Sequence, residues 1–166
     1  KCISHRMDNV SFNNYTGHGC YIGKGNDQLV GNRLRAENNR GTALVIKSSD
    51  CKLHDLGLVS QGYNADTTRR AGALLIDGAA PEIETCDLYL PTDAECEATV
   101  ICLDAQRFQF KGGTISGRTI CRGRNDQGTT NRYENAAALF AGITFKHDED
   151  LASTRFYSGV DQVYTY

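Results

Sequence analysis

Residues 44–58 read LVIKSSDCKLHDLGL, and the apolar residues Ile46, Leu53, Leu56 and Leu58 are separated by seven, three and two positions. The same gaps recur upstream at Ile22, Leu29, Asn32 and Leu34. They recur downstream at Ile76, Ile83, Cys86 and Leu88, and again at Leu103, Phe110, Gly113 and Ile115. Shorter echoes occur at Met7, Val10 and Phe12, at Phe140, Ile143 and Phe145, and at Val160, Val163 and Thr165. An internal repeat of this kind sets the architecture before any single residue does.

The position at the head of the pattern runs Met7, Leu29, Leu53, Ile83, Phe110, Phe140, Val160, in steps of 22, 24, 30, 27, 30 and 20 residues. Apolar pairs two apart, such as Leu56 with Leu58 and Leu44 with Ile46, fit strands with one face inward. Helices would need apolar residues three and four apart over ten or more positions, and no unit supplies them. Short strands with a variable corner describe one rung of an all-β solenoid, a parallel β-helix of about six to seven coils. No rung buries enough apolar surface alone. Stacked rungs share one interior, with strands about 4.8 Å apart. The core gaps stay constant while the spacers 59–73 and 116–136 lengthen, so insertions belong to loops on one side.

The chain has 166 residues, enough for one domain with a core, and a net charge of −2. Near-balanced charge without a basic run argues against nucleic-acid binding. No run approaches eighteen apolar residues, so no membrane partner is expected. Gly 17 against Pro 2, with Asn pairs at 13–14 and 38–39, suits a turn-rich β protein. Of the seven cysteines, Cys86 falls on an inward position and Cys51 on the same face, where a thiol packs as a small hydrophobe. Their scattered spacing reads as reduced core thiols formed in a reducing cytoplasm and offers no zinc motif. No cofactor is expected. The pattern is already in step at Met7 and still in step at Val163. A single β-helix segment over 1–166, part of a longer chain or a unit of an oligomer that covers its ends, is therefore expected.

Stacking places equivalent outward residues above one another. After Ile46, Ile76 and Leu103 come Lys47, Asp77 and Asp104. Two carboxylates at adjacent strands lie roughly 5 Å apart. Such a pair is either an ordinary surface ladder neutralised by Lys47 or the acid and base of a glycoside hydrolase. A second column reads Val30, His54, Glu84 and Lys111, a surface ion pair or a tuned base. A third, Tyr21, Val45, Leu75 and Cys102, is apolar although it alternates outward, and marks an interface or a covering loop. The stretch CRGRNDQGTTNRYEN (121–135) has no periodicity and reads as the longest surface loop. With Arg118 just before it, it offers Arg122, Arg124, Asp126 and Tyr133, donors and a stacking ring suited to sugar.

With Ile22, Ile46, Ile76 and Leu103 inward, and segments such as NRLRAENNRGTALVIKSSDCKLHDLGLVSQG, the chain resembles the right-handed parallel β-helix of bacteriophage tailspikes and the wider pectate-lyase-like group. That resemblance implies a homotrimer of the virion tail, assembled in the host cytoplasm and acting extracellularly on bacterial surface polysaccharide. It implies acidic catalytic residues on the outer face, a location that Asp77 and Asp104 match; the outward columns and the long loop supply Lys47, His54, Glu84, Arg122, Arg124 and Tyr133 as candidate binding residues. Two rivals stand beside it: a non-catalytic structural or adhesion shaft, and a polysaccharide lyase. The clustered Asp beside an Arg that a lyase uses are not found in the pattern.

Overall fold

The computed structural model describes residues 2–48, 50–60, 71–77, 81–90, 96, 98–103, 108–122, 137–146 and 162–165. Among the described residues twelve strands are present; the first eleven alternate between two sheets and the twelfth returns to the first sheet, all neighbours parallel. The first sheet, in order, holds β1 (Cys2–Asn13), β3 (Asn26–Asn39), β5 (Lys52–Ser60), β7 (Glu82–Tyr89), β9 (Phe108–Ser116), β11 (Ala137–Lys146) and β12 (Gln162–Thr165). The second holds β2 (Cys20–Ile22), β4 (Leu44–Ile46), β6 (Ala71–Asp77), β8 (Ala98–Leu103) and β10 (Thr119–Arg122). This is a parallel β-solenoid, as the repeat requires. Strand β10 lies inside the spacer read as loop.

The gap of three inside the repeat has a backbone cause. Strict alternation would turn Leu53, residue 55 and residue 57 inward, yet Leu53, Leu56 and Leu58 are the buried ones. Asp55 between them has φ +54. In register with it lie Asn9 (φ +55), Arg33 (+52), Thr85 (+58), Gly112 (+75) and Gly142 (+64). Six successive long strands thus carry a left-handed residue at one depth, which resets the alternation and turns each strand there. The turned sheet closes on the five-stranded one to enclose the interior.

That interior is a set of files. Leu53, Ile83, Phe110 and Phe140 are in lateral register and at most 1% exposed. The Phe110 and Phe140 rings stack at 5.1 Å, and Phe108 meets both edge-on. Beside this file run Leu34, Leu56, Cys86 and Gly113, then Ala36, Leu58, Leu88 and Ile115. From the five-stranded sheet Ile22, Ile46, Ile76 and Cys102 close the core. At the corner leaving the long strands, buried Asn39 crosses between rungs. Its amide donates to the Phe12 carbonyl at 2.8 Å and its oxygen accepts from the Tyr15 amide at 2.9 Å. The thiols of Cys20, Cys86 and Cys96 are free, and Cys51 and Cys86 face inward as expected.

Three expected placements are corrected. Leu29 does not join the Leu53 file: Gly31 lies opposite Leu53 and Met7 opposite Gly31, so β3 sits two residues from its expected register. Gly31 leaves room that Leu53 and Leu34 fill, since a Cβ there would come within 2.8 and 2.9 Å of their methyls. Asn32, expected inward, consequently faces out beside His54. In β8, Cys102 rather than Leu103 opposes Ile76, which puts Cys102 inside and Leu103 outside. Thr165, not Val160, opposes Phe140.

Candidate functional site

Two outer faces bring chemistry-bearing side chains together. The first is the limb of the seven-stranded sheet before the left-handed bend. Its pleat sends alternate residues outward in two columns. One runs Arg6, Val30, Lys52, Glu82 and Gln109, and the other Asp8, Asn32, His54, Glu84 and Lys111. Asn32 therefore takes the place expected for Val30 in the column of His54, Glu84 and Lys111.

Each carboxylate on this face has a donor. The Arg6 Nε lies 2.5 Å from Asp8, whose other oxygen accepts from the Asn32 amide at 2.6 Å. His54 Nδ1 is 2.8 Å from Glu84. Glu82 is shared between Lys52, at 3.6 Å, and Lys111, which hydrogen-bonds it directly and stands 3.9 Å from Glu84. The bonds from Asn32 and Arg6 hold the Asp8 carboxyl below the usual range, and the Lys111 bond does the same for Glu82 while raising Lys111 itself. These groups stay ionised at neutral pH. The two carboxylates accept hydrogen bonds well and are poorly suited to deliver a proton, the opposite of a general acid. Solvent screens exposed pairs of this type, so they contribute little to stability. Their regular placement is the more informative feature: five parallel strands present polar groups at a repeat of about 4.8 Å.

The second face is the outside of the five-stranded sheet. Lys47 and Asp77 are on neighbouring strands, with Nζ 3.0 Å from the carboxylate, and Asp77 is only 7% exposed in its side chain. The same ammonium stands 6.0 Å from the centre of the Tyr21 ring, which is half exposed. Of the expected carboxylate pair, Asp77 lies opposite Leu103, and Asp104 is outside the described residues, as are Arg124, Asp126 and Tyr133. Arg122 ends β10 opposite Leu103, with its side chain outside the described set.

The apolar column on this face was expected to meet another subunit or a covering loop. Val45, Leu75 and Ile101 are 1–5% exposed within the single chain and form a second core with Ala71 and Ala98. Leu103 packs on them. Ile101 takes the place assigned to Cys102. Among the described residues of the column, Tyr21 at its end stands open. The five-stranded sheet is thus buried on both faces, which explains continuous apolar runs such as ALLI and TVIC.

Sequence reasoning singled out Lys47, His54, Glu84 and Lys111 and missed Glu82, the carboxylate that gathers two lysines. Its signal was present in Lys52 and Glu82, 30 residues apart like Leu53 and Ile83. Among the described residues no group of three or more His, Cys, Asp or Glu side chains could hold a metal ion, and no helix is long and apolar enough to cross a membrane. Comparison with protein-family models, curated proteins and solved structures finds no match, so the functional reading rests on the fold and on these two faces.

Proposed function

We infer that the chain is a right-handed β-helix segment of a tailspike-like receptor-binding protein, with about six to seven coils, and that it holds bacterial surface polysaccharide along the charged outer limb of its long sheet. The observation that carries this reading is the double column from Arg6 and Asp8 to Lys111. It is a straight row of pre-paired donors and acceptors at strand spacing, suited to an extended polymer that repeats its hydroxyls. Lys52, His54, Glu82, Glu84 and Lys111 are the contact residues, and Tyr21 with Lys47 offers a ring and a cation on the neighbouring sheet. Parallel β-solenoids are a fold on which polysaccharide binding and cleavage both occur. The setting is host attachment by a virion tail, in a homotrimer.

The reading is binding without cleavage. Asp77 is engaged by Lys47, and the carboxyls with resolved shifts are held ionised. A panel of immobilised bacterial capsular and O-antigen polysaccharides tests it, with the reducing ends counted in parallel. The expected result is retention of at least one polymer, weakened tenfold or more by Glu84→Arg with Lys52→Glu, and no new reducing ends. No retention by a chain with an intact β-sheet spectrum establishes the structural shaft instead. New reducing ends that vanish in Asp77→Asn establish hydrolysis, and products absorbing in the ultraviolet establish a lyase.

A further inference from the structure

The limb of the long sheet beyond the left-handed bend is built differently from the charged limb before it. One outward column there runs Ser11, Arg35, Gly57, Asp87, Thr114 and Thr144. The glycine interrupts the row of side chains, and Arg35 occupies the gap. A Cβ at Gly57 would fall 2.6 Å from the Arg35 Cδ and 2.9 Å from its Nε, so the side chain lies across the β5 backbone. It is anchored there. One terminal nitrogen donates to the carbonyls of Asp55, at 2.5 Å, and Leu34, at 3.1 Å, and the other donates to the Asp55 carboxylate at 2.8 Å. None of these bonds uses Nε, and the side chain is 41% exposed.

Opposite the glycine on the other side, Asp87 is exposed and has no ion pair among the described residues. Tyr89 follows two positions along β7 on the same face, 45% exposed, with Val59 opposite it on β5. On its β9 side the next position is Ser116, one past the Ile115 that opposes Leu88, and a serine is too short to cover the ring. Strand β7 lies between β5 and β9, so no sheet edge is open here to a peptide strand. An anionic ligand would meet Asp87 at close range.

We propose that this patch is a subsite for one uncharged pyranose ring. A sugar is apolar on its C–H face and polar at its rim, and the patch carries the matching parts: an open aromatic ring, a free carboxylate and an anchored donor over a glycine floor. The C–H face stacks on Tyr89. Neighbouring hydroxyls donate to Asp87 and accept from the Arg35 Nε, with the Thr114 hydroxyl opposite Asp87 at the rim. Asp87 and Tyr89 are about 6–7 Å apart along the strand, within the reach of a single ring. On the charged limb each carboxylate has to share its oxygens with a donor already in place, whereas Asp87 is uncommitted. The charged limb contributes no residue to this subsite, so the failure of either leaves the other standing.

Methyl glycosides of glucose, galactose, mannose and N-acetylglucosamine are the probes, titrated singly against the whole chain and followed by saturation-transfer NMR. Saturable binding of at least one is expected, at the millimolar affinity of a single ring, with the strongest transfer to its ring C–H protons. Tyr89→Ala is expected to weaken it by about tenfold or more and Tyr89→Phe by less than about threefold, because stacking needs the ring and not the hydroxyl. Asp87→Ala, and Gly57→Val, which displaces Arg35 from the floor, are each expected to cost about fivefold. An unchanged urea midpoint shows that each variant is folded. No saturation of any probe by about 50 mM, or binding that Tyr89→Ala leaves intact, overturns the proposal. A loss in Lys52→Glu with Glu84→Arg equal to that in Tyr89→Ala also overturns it, since the charged limb would then carry the sugar.

Discussion

Thr85 offers the sharpest test of how the long strands turn. It is exposed, β-branched and held at φ +58, in a file whose neighbours on one side are Gly112 and Gly142. A left-handed conformation costs an L-residue about 1–2 kcal/mol, while Asn visits it readily. Thr85→Asn therefore relieves strain without adding much freedom to the unfolded chain, and is expected to stabilise by about 1 kcal/mol. Thr85→Gly relieves the same strain, but glycine's extra unfolded freedom takes back about 0.5–1 kcal/mol, leaving a smaller gain. The mirror experiment is Gly112→Thr. A Cβ at Gly112 meets nothing within 4 Å, so only backbone strain acts there and a loss of about 0.5–1 kcal/mol is expected. Urea unfolding followed by circular dichroism reads these as midpoint shifts of about 0.3–1 M at unchanged slope, opposite in sign for the two sites. If Thr85→Asn is neutral or destabilising while Gly112→Thr leaves the midpoint in place, the bend is not set by backbone strain and the account of the gap of three is wrong.

Gly113 is the stricter glycine: at φ +112, a Cβ would fall 2.0 Å from the Cys86 carbonyl oxygen. Gly113→Ala is expected to cost about 3 kcal/mol or more, read as loss of the cooperative urea transition or a midpoint drop above 1 M. Burial pushes the Cys86 thiol up to about 12, so its alkylation at pH 8 should run at least about a hundredfold slower in the folded chain than in urea, as followed by mass spectrometry. Comparable rates would place that thiol outside the core. The Thr42 amide donates to His18 Nδ1 at 3.1 Å, and burial, with Lys47 adding to it, holds the imidazole below its ordinary 6.5. The unfolded chain then binds the proton more readily, so this contribution is complete above pH 6.5 and fades as pH falls through and below that value. His18→Gln should flatten the stability profile between pH 7 and 5, and an unchanged slope refutes the assignment.

The repeat was legible because most of its inward positions carry large apolar side chains, and Leu53, Ile83, Phe110 and Phe140 line up as their spacing says. It misled where that signal was absent. Gly31 holds an inward place with no side chain, so the nearest leucine, two residues earlier, stood in for it. In β8 the confusion was different: Ile101, Cys102 and Leu103 are all apolar because both faces of that sheet are buried, and alternation cannot tell inside from outside. The carboxylate pair inherited that error of one residue. His54 with Glu84 and Lys47 with Asp77 were legible because neighbouring strands turn sequence spacing into contact. The Lys52–Glu82 pair was legible by the same spacing, whereas the Lys111–Glu82 contact was not, since Lys111 reaches Glu82 diagonally across the columns.

The left-handed file also acts as a key in a slot. Sliding one strand by two residues along its neighbour keeps every side chain on its own face, so in-and-out alternation alone leaves such slips cheap. Here a slide of that size toward the strand start would carry the bend onto an inward-facing branched residue, Leu53 in β5 or Ile83 in β7. The chain therefore fixes its alignment with backbone angles at one depth, and its outer face is free to vary without the coils losing step.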